Sequence, residues 1–408
     1  MIVKKLLLAC AFLLLNACAM DSEKPTTEAA QKPYVLLISL DGFRWDYVDK
    51  YKPEFISTFA KEGASLTSMR PSFPTKTFPN HISLVTGSYP QHHGIVANKF
   101  YAPDLDKTYY IKDFEAVTNA DFYLRKPLWV IAEEQNVRAA SYFWPSSEAE
   151  IAGVRPSFYK KYEHSQPHQQ RIDGVLAWLQ LPEAQRPQLI TTYFHDIDSA
   201  GHEFGQDSPE LIATIKTVDA AIKQLVEKVR TLDIDVNIVI VSDHGMDDYP
   251  AENYEYIPAW VKDEFKVAAA NTIVHLYHNK DSKITTDQAL ADIRQQAKHY
   301  QCHLYQEVPA KFNASKSQRM GDITCFADKD WAIGFNGRTS HGDHGWSQFN
   351  TTDMDAIFYA QGPAFKKNYQ IDTVENVNVM PLLAHILGVK ITTPIDGKLE
   401  KMQPLLKQ

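Results

Sequence analysis

Three apolar segments that each lead into an aspartate dominate the pattern of hydrophobic and polar positions along this chain. They span 34–41, 189–198 and 236–243, and their acidic ends are Asp41, Asp196 with Asp198, and Asp243. Near-continuous apolar runs of this length predict strands that are buried on both faces of a parallel sheet. Because ligands bind outside the carboxyl ends of strands in open α/β sheets, we expect these tips to converge on one site.

Between the apolar segments, hydrophobic positions recur with the spacing of helices. The clearest predicted helix runs from Ser208, a typical cap, through Pro209 in the first turn to about Arg230. Its apolar face consists of Leu211, Ile215, Val218, Ile222, Leu225 and Val229. Alternating strands and helices predict an α/β fold with a mostly parallel central sheet and helices on both faces. We expect one folded domain over 33–408, with a smaller, less regular insertion around 247–335.

The N-terminus has the pattern of a targeting segment. Lys4 and Lys5 precede an uncharged apolar run that is too short for a comfortable membrane span, so residues 1–18 are predicted to be a signal peptide. Small residues before Cys18 resemble a bacterial lipobox, which would make Cys18 a lipid anchor to the membrane; an ordinary cleaved signal is the alternative. Residues 19–32 are polar and predict a flexible tether. We therefore expect an exported bacterial protein, periplasmic or anchored to the outer membrane.

Composition and charge narrow the function classes. The 408 residues are 44% hydrophobic and 23% charged, which is an ordinary globular balance, and the formal net charge is −8 at pH 7. An acidic chain of this kind gives no support for nucleic-acid binding. Beyond the predicted signal peptide and Cys18, the cysteines are Cys302 and Cys325. In an oxidising compartment these two could form a disulfide, although two buried thiols are the alternative.

Residues that commonly bind metals stand at the ends of several predicted elements. They are Asp41, Asp198 with His202, Asp243 with His244, and His341 with His344. Mixed imidazole and carboxylate ligands suit zinc, and a pair of such ions can support an in-line displacement at phosphorus.

The nucleophile for such a displacement is predicted to be Thr77. It precedes Pro79, which suits the first turn of a helix, so we expect Thr77 in a loop just before a helix N-terminus, where an anion is favoured. A simple helix cap is the alternative role for this threonine. The chain contains no Walker phosphate loop and no Gly-X-Ser-X-Gly elbow, so an ordinary serine hydrolase is not expected.

Short motifs with this chemistry span nearly the whole predicted domain. They are LDGFR at 40–44, PTKTFPNH at 74–81, TGSYP at 86–90, HGIVAN at 93–98, FWP at 143–145, DSAGH at 198–202, SDHGM at 242–246 and DHGW at 343–346. In combination they resemble the nucleotide pyrophosphatase/phosphodiesterase family of the alkaline phosphatase superfamily. The resemblance implies an alkaline-phosphatase-like fold.

The resemblance also implies two zinc ions per chain and roles for particular residues. The ligands of one zinc would be Asp198, His202 and His344, and those of the other Asp41, Asp243, His244 and the bridging nucleophile Thr77. Asn98 would donate a hydrogen bond to a phosphate oxygen, with the backbone N–H of Thr77 or Phe78 as a helper. Phe78 and Tyr162 would stack on a nucleotide base, with ordinary packing as the alternative.

Other polar residues near these motifs are given structural roles. His344 matches the family pattern better than His341. Four further polar residues near the motifs are expected to have structural or supporting roles and not to bind the metals: His81, His93, His195 and Asp196.

The predicted function is zinc-dependent hydrolysis of phosphodiester or phosphoanhydride bonds through a phosphothreonine, with nucleotides and dinucleotides as substrates and a nucleoside 5′-monophosphate as product. The alternatives are a phosphodiesterase for choline-type lipid head groups and a periplasmic phosphomonoesterase, which would need an extra cation; Lys76 leaves that reading open. A sulfatase is less favoured because the chain lacks the Cys-X-Pro-X-Arg pattern at the nucleophile. A lipoprotein that binds nucleotides or metals without catalysis is the alternative from another class. The oligomeric state stays open.

Overall fold

An eight-stranded sheet forms the centre of the computed structural model, which describes residues 32–407. In chain order its strands are β1 (Tyr34–Leu40), β2 (Ala64–Leu66), β3 (Ala139–Tyr142), β4 (Phe158–Lys160), β5 (Leu189–Phe194), β6 (Val236–Val241), β7 (Phe358–Gln361) and β8 (Tyr369–Ile371). Their order across the sheet is β8-β2-β7-β6-β1-β5-β3-β4. All pairs are parallel except the two made by β7, which runs antiparallel to β6 and β2. The predicted α/β class with a mostly parallel sheet is confirmed.

The residues of β1 explain why helices cover both faces of the sheet. Every residue from Tyr34 to Leu40 is buried, and successive side chains point to opposite faces. Val35 and Leu37 join one apolar core, whereas Leu36 and Ile38 join the other. Helices contributing to the first core are Thr77–Thr86, Leu128–Glu133 and Val379–Leu387. Those contributing to the second are Glu54–Glu62, His168–Leu179, Asp196–Phe204 and Pro209–Arg230.

The longest helix begins where its sequence signals place it. The Ser208 hydroxyl accepts a hydrogen bond from the Leu211 N–H at 3.2 Å, and Pro209 opens the helix Pro209–Arg230. Shorter α-helices are Tyr47–Tyr51, Pro90–His93, Phe114–Thr118, Val261–Glu264 and Thr286–Gln296.

A four-stranded antiparallel sheet lies within the segment predicted as an insertion. Its strands, in spatial order, are Phe265–Ala270, Ile273–His278, Ile323–Ala327 and Tyr300–Leu304. A separate apolar core packs beneath it, with Leu290 and Ile293 of the helix Thr286–Gln296 among its members. Cys302 and Cys325 lie opposite each other on paired strands and form a disulfide. The division of the chain into domains stays a prediction.

Short two-stranded pairs complete the chain. They are Lys99–Ala102 with Lys107–Tyr110, Met69–Arg70 with Val374–Glu375, Tyr254–Tyr256 with Ala332–Gly334, and Asp247–Asp248 with Gly342–Asp343. The last pair joins the loop after β6 to the segment that carries His344.

The predicted signal peptide, the Cys18 anchor and all of the predicted tether except Lys32 lie outside the described residues. Among the described residues, no helix is both long and apolar enough to span a membrane.

Candidate active site

Three strand ends meet at the carboxyl edge of the sheet. Asp41 follows β1, Asp243 follows β6, and Asp198 lies in the first turn of the helix that follows β5. Backbone and side-chain hydrogen bonds tie them together: the Asp198 N–H donates to the Asp41 carbonyl at 3.1 Å, and the Gly42 N–H donates to Asp243 Oδ1 at 3.2 Å. The three carboxylates are therefore brought together by the parallel order of β5, β1 and β6.

The first ligand cluster consists of Asp198, His202 and His344. Asp198 Oδ1 lies 3.5 Å from the Nε2 atoms of both histidines. The potential ligand atoms of the three residues all lie within 4.8 Å of one another. These are the residues that the resemblance assigns to one zinc.

The second cluster is centred on His244. Its Nε2 lies 3.4 Å from Asp41 Oδ1 and 2.9 Å from Asp243 Oδ2. Within the described residues, the second set of ligand atoms that all lie within 4.8 Å comprises Asp41, Asp198 and His244. Asp198 thus lies close to both clusters, whereas the resemblance pairs Asp41 and His244 with Asp243.

The three imidazole rings of the two clusters are oriented by the same type of hydrogen bond. His202, His244 and His344 each make a hydrogen bond from Nδ1 to a backbone carbonyl, at 2.7–2.8 Å; the acceptors are Gly342, Gly245 and Thr75. A ring that donates from Nδ1 presents the Nε2 lone pair, which is the form that binds a metal.

The carboxylates have oxygen atoms that the protein leaves unsatisfied. Asp41 Oδ1, Asp198 Oδ1 and Asp243 Oδ2 are buried and make no hydrogen bond among the described residues, although each faces an imidazole. Buried polar atoms normally have a hydrogen-bond partner. These carboxylate oxygens have none and face imidazole Nε2 atoms, so the arrangement fits divalent cations bound between the side chains. Nitrogen and oxygen donors together suit zinc better than magnesium or calcium.

The close packing of these buried carboxyl and imidazole groups shifts their pKa values. Burial, and then the charges of Asp243 and Asp198, raise the pKa of Asp41 well above its usual value. Burial opposes ionisation of Asp243 too, but His244 and His81 bring its pKa below the usual range. Burial, His244 and Lys76 lower the pKa of His344, which favours its neutral, ligating form.

Thr77 is the first residue of the helix Thr77–Thr86, not a loop residue before it. Pro79 lies third, because a missing N–H is tolerated anywhere in a first turn. The cap position belongs to Lys76 and carries no side-chain cap bond, so Thr77 is not a helix cap. The Thr77 hydroxyl instead lies 3.4 Å from His244 Nε2.

Asn98 is fixed beside the start of this helix. Its Oδ1 accepts a hydrogen bond from the Phe78 N–H at 3.0 Å. The Phe78 N–H, one of the two backbone groups expected to donate to the phosphate, is therefore already bonded to Asn98. The same bond turns the Asn98 NH₂ group away from Phe78. The Thr77 N–H makes no hydrogen bond within the described part of the chain.

A cavity of about 810 Å³ is lined by Thr77, by all three residues of the first cluster and by Asp41 of the second. Phe78, Asn98 and Tyr162 line it, so the structure brings the predicted substrate-binding residues to one space. Tyr162 is 40% exposed; its ring packs edge-on against Phe143, and its hydroxyl bonds His164 Nδ1 at 2.9 Å.

The histidines that were not predicted to be metal ligands lie in different parts of the structure. His81 is buried beneath Thr77, where Nδ1 donates to the Thr77 carbonyl at 2.9 Å, and His93 is buried against Ser83. His341 is exposed. His195 lines the cavity, where its ring packs 3.8 Å from that of His164.

Asp196, the other residue set aside, lies outside both clusters. Its Oδ1 bonds His168 Nε2 at 2.9 Å.

Several residues at the site were not anticipated from the sequence. Tyr193 donates to Asp41 Oδ2 at 2.5 Å, and Lys112, Glu148 and Lys161 line the cavity. Alternation along β5 could have suggested Tyr193, since it precedes the strand end by one residue. The two lysines are exposed loop residues with no periodic signal.

A hydroxyl at a helix N-terminus, beside two carboxylate–imidazole clusters at the edge of a mostly parallel sheet, is the arrangement of an α/β hydrolase with a candidate metal centre. A family model described as type I phosphodiesterase/nucleotide pyrophosphatase matches residues 35–347. The chain belongs to this family, and the resemblance found in its motifs is confirmed.

Individual relatives agree with the family match. The chain is 35% identical over 400 residues to ectonucleotide pyrophosphatase/phosphodiesterase family member 1 of Mus musculus, covering 93% of this chain and 43% of that protein. It is 32% identical over 406 residues to a venom phosphodiesterase of Naja atra, covering 96% of this chain and 48% of the relative. The chain therefore spans less than half of the length of these relatives.

Solved structures support the fold. An inactive variant of murine ectonucleotide pyrophosphatase/phosphodiesterase 5, in complex with AMP, is similar with a TM-score of 0.86 at 26% identity, covering 92% of this chain and 100% of that one. The human counterpart has a TM-score of 0.87 at 27% identity, covering 93% and 100%.

Proposed function

We propose that this chain hydrolyses phosphodiester and phosphoanhydride bonds of nucleotides and dinucleotides, with Thr77 as nucleophile, two zinc ions as cofactors and a nucleoside 5′-monophosphate as product. The observation that carries this proposal is the position of the Thr77 hydroxyl, 3.4 Å from His244 Nε2, on a cavity that Asp41 and all three residues of the first cluster also line. Membership of the phosphodiesterase family supports the reaction class.

The residues present fit two zinc ions. Asp198, His202 and His344 would hold one, and Asp41, Asp243 and His244 would hold the other, with Thr77 beside it; Asp198 is close enough to contribute to either group. When bound, the ions would supply positive charge that activates the threonine hydroxyl and stabilises the leaving oxygen.

The reaction proceeds in two displacements. Thr77 Oγ1 forms a bond to phosphorus while the bond from phosphorus to the leaving oxygen breaks, and that oxygen takes up a proton. A water oxygen then attacks the phosphothreonine, the bond between phosphorus and Thr77 breaks, and the threonine hydroxyl is restored. One water is consumed for each bond cleaved.

Two donors stabilise charge on the phosphate. The Asn98 NH₂ group, oriented by the bond from Phe78 N–H to Asn98 Oδ1, donates to a non-bridging oxygen. The Thr77 N–H, at the N-terminus of its helix, is the second donor.

Nucleotides fit the outer cavity better than choline-type head groups. Phe78 and Tyr162 offer aromatic faces for a base. Lys112 and Lys161 line the same space, where their charges would attract the phosphates of a nucleotide. A nucleotide is also the ligand of the murine structural neighbour, which was solved with AMP.

A phosphomonoesterase fits less well. A monoester carries an additional charge that calls for a free cation near the nucleophile. Lys76 is the cation adjacent in sequence, but its Nζ donates to the buried carboxylate of Asp343 at 2.8 Å. A ratio of rates on bis-p-nitrophenyl phosphate and p-nitrophenyl phosphate separates the two activities, and we expect it to favour the diester.

The covalent step is tested by Thr77→Ala, with Thr77→Ser as the matched control. We expect Thr77→Ala to lose turnover while it retains two zinc ions per chain, because none of the carboxylate or imidazole ligands is altered. Thr77→Ser keeps the hydroxyl and should retain measurable activity. Substantial hydrolysis by zinc-loaded Thr77→Ala would refute the phosphothreonine route.

The substrate class is tested by a rate screen on zinc-loaded protein. The substrates are nucleoside triphosphates, dinucleotides, choline lipids and phosphomonoesters, each with and without a chelator. Turnover of the nucleotides that the chelator abolishes supports the proposal. Retained zinc without turnover of any substrate would favour a binding protein, and faster cleavage of choline lipids would overturn the nucleotide assignment.

We also propose export, with Cys18 as a lipid anchor. The disulfide between Cys302 and Cys325 is consistent with an oxidising compartment, and related proteins carry the names ectonucleotide pyrophosphatase and venom phosphodiesterase. Metabolic labelling with a fatty acid in a bacterial host should mark the wild-type chain and not Cys18→Ser. Equal labelling of both would contradict the anchor.

A further inference from the structure

Lys76, the residue just before Thr77, is buried, and its ammonium group is bound within the protein. It is 4% exposed. Its Nζ donates to Asp343 Oδ1 at 2.8 Å and to the backbone carbonyl of His344. Thr77 and His344 both line the cavity, but Lys76 does not.

Asp343 is held from several directions. Its Oδ1 also accepts the His344 N–H at 2.8 Å, and its Oδ2 accepts the Asn271 side-chain NH₂ at 2.7 Å. Lys76 Nζ and Asp343 Oδ1 make an ion pair in which both side chains are buried, with exposures of 6% and 3%. Lys76 and Asp343 therefore form a buried, charged and hydrogen-bonded pair, and such a pair is costly to break by removing one partner.

A second set of bonds joins the same two segments through Thr75. His344 Nδ1 donates to the Thr75 carbonyl at 2.7 Å, and the Gly345 N–H donates to Thr75 Oγ1 at 2.8 Å. A Cβ on Gly345 would lie only 2.5 Å from Lys76 Cε, so the segments are tightly packed. The segment 75–77, which bears the nucleophile, and the segment 343–346, which bears a candidate ligand, are thus fastened together.

We propose that Lys76 and Asp343 are a positioning pair, which fixes Thr77 relative to His344 and does not contact substrate. The inference rests on the proposed function, since it takes Thr77 as the nucleophile and His344 as a ligand. With its ammonium bound to Asp343, Lys76 offers no charge to the additional oxygen of a phosphomonoester.

The test compares Lys76→Met, Asp343→Asn, the double variant Lys76→Met/Asp343→Asn and the conservative Lys76→Arg. The control is Lys126→Met, which removes a lysine from an ion pair with Glu134 on the surface, where Nζ and Oε1 are 2.6 Å apart. Rates are measured on bis-p-nitrophenyl phosphate, a monoanion, and on a polyanionic nucleoside triphosphate.

A positioning pair predicts a particular kinetic pattern. Each single variant should lose about 10- to 100-fold in kcat, the usual effect of losing support around a ligand, with KM changed less than about threefold on both substrates. The double variant should be no worse than the poorer single variant, because both changes break one interaction. Lys76→Arg should recover part of the rate, and Lys126→Met should match wild type.

A role in binding substrate predicts the opposite pattern. Lys76→Met would then raise KM selectively for the nucleoside triphosphate and spare the diester, and its loss would add to that of Asp343→Asn. Either result overturns the proposal, as does a wild-type rate in Lys76→Met.

Zinc retention supplies a readout that needs no turnover. Loss of the support around His344 should make Lys76→Met release zinc at about tenfold lower chelator concentration than wild type, and unchanged retention would count against the pair. Unfolding curves of the double variant, in which no unpaired buried charge remains, show whether the protein is still folded. A folded double variant with a low kcat indicates that Thr77 or His344 is misplaced and not that the protein has misfolded. Failure of the proposed function is recognised separately, by activity that survives in Thr77→Ala.

Discussion

Gly42 lies at the point where β1 meets the helix that carries Asp198, and replacing it by alanine should disturb both stability and catalysis. Its φ is +68°, a left-handed conformation that costs a residue with a side chain about 1–2 kcal/mol. A Cβ placed there would lie 3.0 Å from Asp198 Cα and 3.1 Å from Asp198 Cβ. Since the obstacle is backbone, the added methyl group must push strand and helix apart, and overpacking of this kind costs about 1–3 kcal/mol more.

Gly388→Ala provides the matched control. Gly388 also has a φ of +68°, but a Cβ there would have no heavy atom within 4 Å. We therefore expect a loss of about 2–5 kcal/mol for Gly42→Ala and about 1–2 kcal/mol for Gly388→Ala, measured as free energies of unfolding in urea.

The catalytic consequence separates the two variants further. A methyl group on Gly42 shifts Asp41 relative to Asp198, and a misplacement of about 1 Å at a reacting centre costs on the order of 100-fold in rate. A shift of a few tenths of an ångström should lower kcat on bis-p-nitrophenyl phosphate by about tenfold, whereas Gly388→Ala should keep the wild-type rate. Equal stability of the two variants together with full activity of Gly42→Ala would refute this reasoning.

Two further predictions concern stability. The double variant Cys302→Ala/Cys325→Ala opens a loop with a sequence separation of 23 and should lose about 3 kcal/mol in urea unfolding, so an unchanged midpoint would show that the disulfide contributes nothing. Burial lowers the pKa of the His275 imidazole from 6.5 to about 4, so the folded state favours the neutral ring. The stability that depends on this neutral ring is fully present above pH 6.5 and is lost as the pH falls. At pH 5 the free energy of unfolding should be lower by about 2 kcal/mol. His275→Asn should flatten this part of the stability profile between pH 7.5 and 5, and an identical pH dependence in the variant would contradict the assignment.

The strands and the longest helix were predictable because their signals are local. An unbroken apolar run identifies β1, and Ser208 followed by Pro209 marks the start of its helix without reference to any other segment. The start of the helix at Thr77 was misplaced by two residues, because a proline is tolerated at any position of a first turn and so marks the turn and not its first residue.

The grouping of ligands depends on contacts that no local pattern encodes. Motifs place Asp41, Asp198 and Asp243 at strand ends, but which carboxylate faces which imidazole is decided by how the loops pack. The Asp198 N–H is held on the Asp41 carbonyl, and this contact brings Asp198 toward His244 as well as toward His344. The pairing of Lys76 with Asp343 spans 267 positions and was equally beyond a reading of the sequence.

The strand tips explain why this edge of the sheet calls for cations. Two of the three carboxylates there have an oxygen that accepts a hydrogen bond from the protein: Tyr193 donates to Asp41 Oδ2, and the Gly42 N–H donates to Asp243 Oδ1. The opposite oxygens of these two residues, together with Asp198 Oδ1, are left unsatisfied among imidazoles that donate elsewhere through Nδ1. Protein donors therefore fix the direction of Asp41 and Asp243, while the crowding of the carboxylates, which raises the pKa of Asp41, opposes ionisation of the whole group in the absence of a cation. A site with oriented ligands and unbalanced charge gains most from a divalent ion, because little reorganisation opposes binding. The same geometry sets the Thr77 hydroxyl next to that charge, 3.4 Å from His244 Nε2, so in the proposed mechanism occupation of the site would activate the nucleophile.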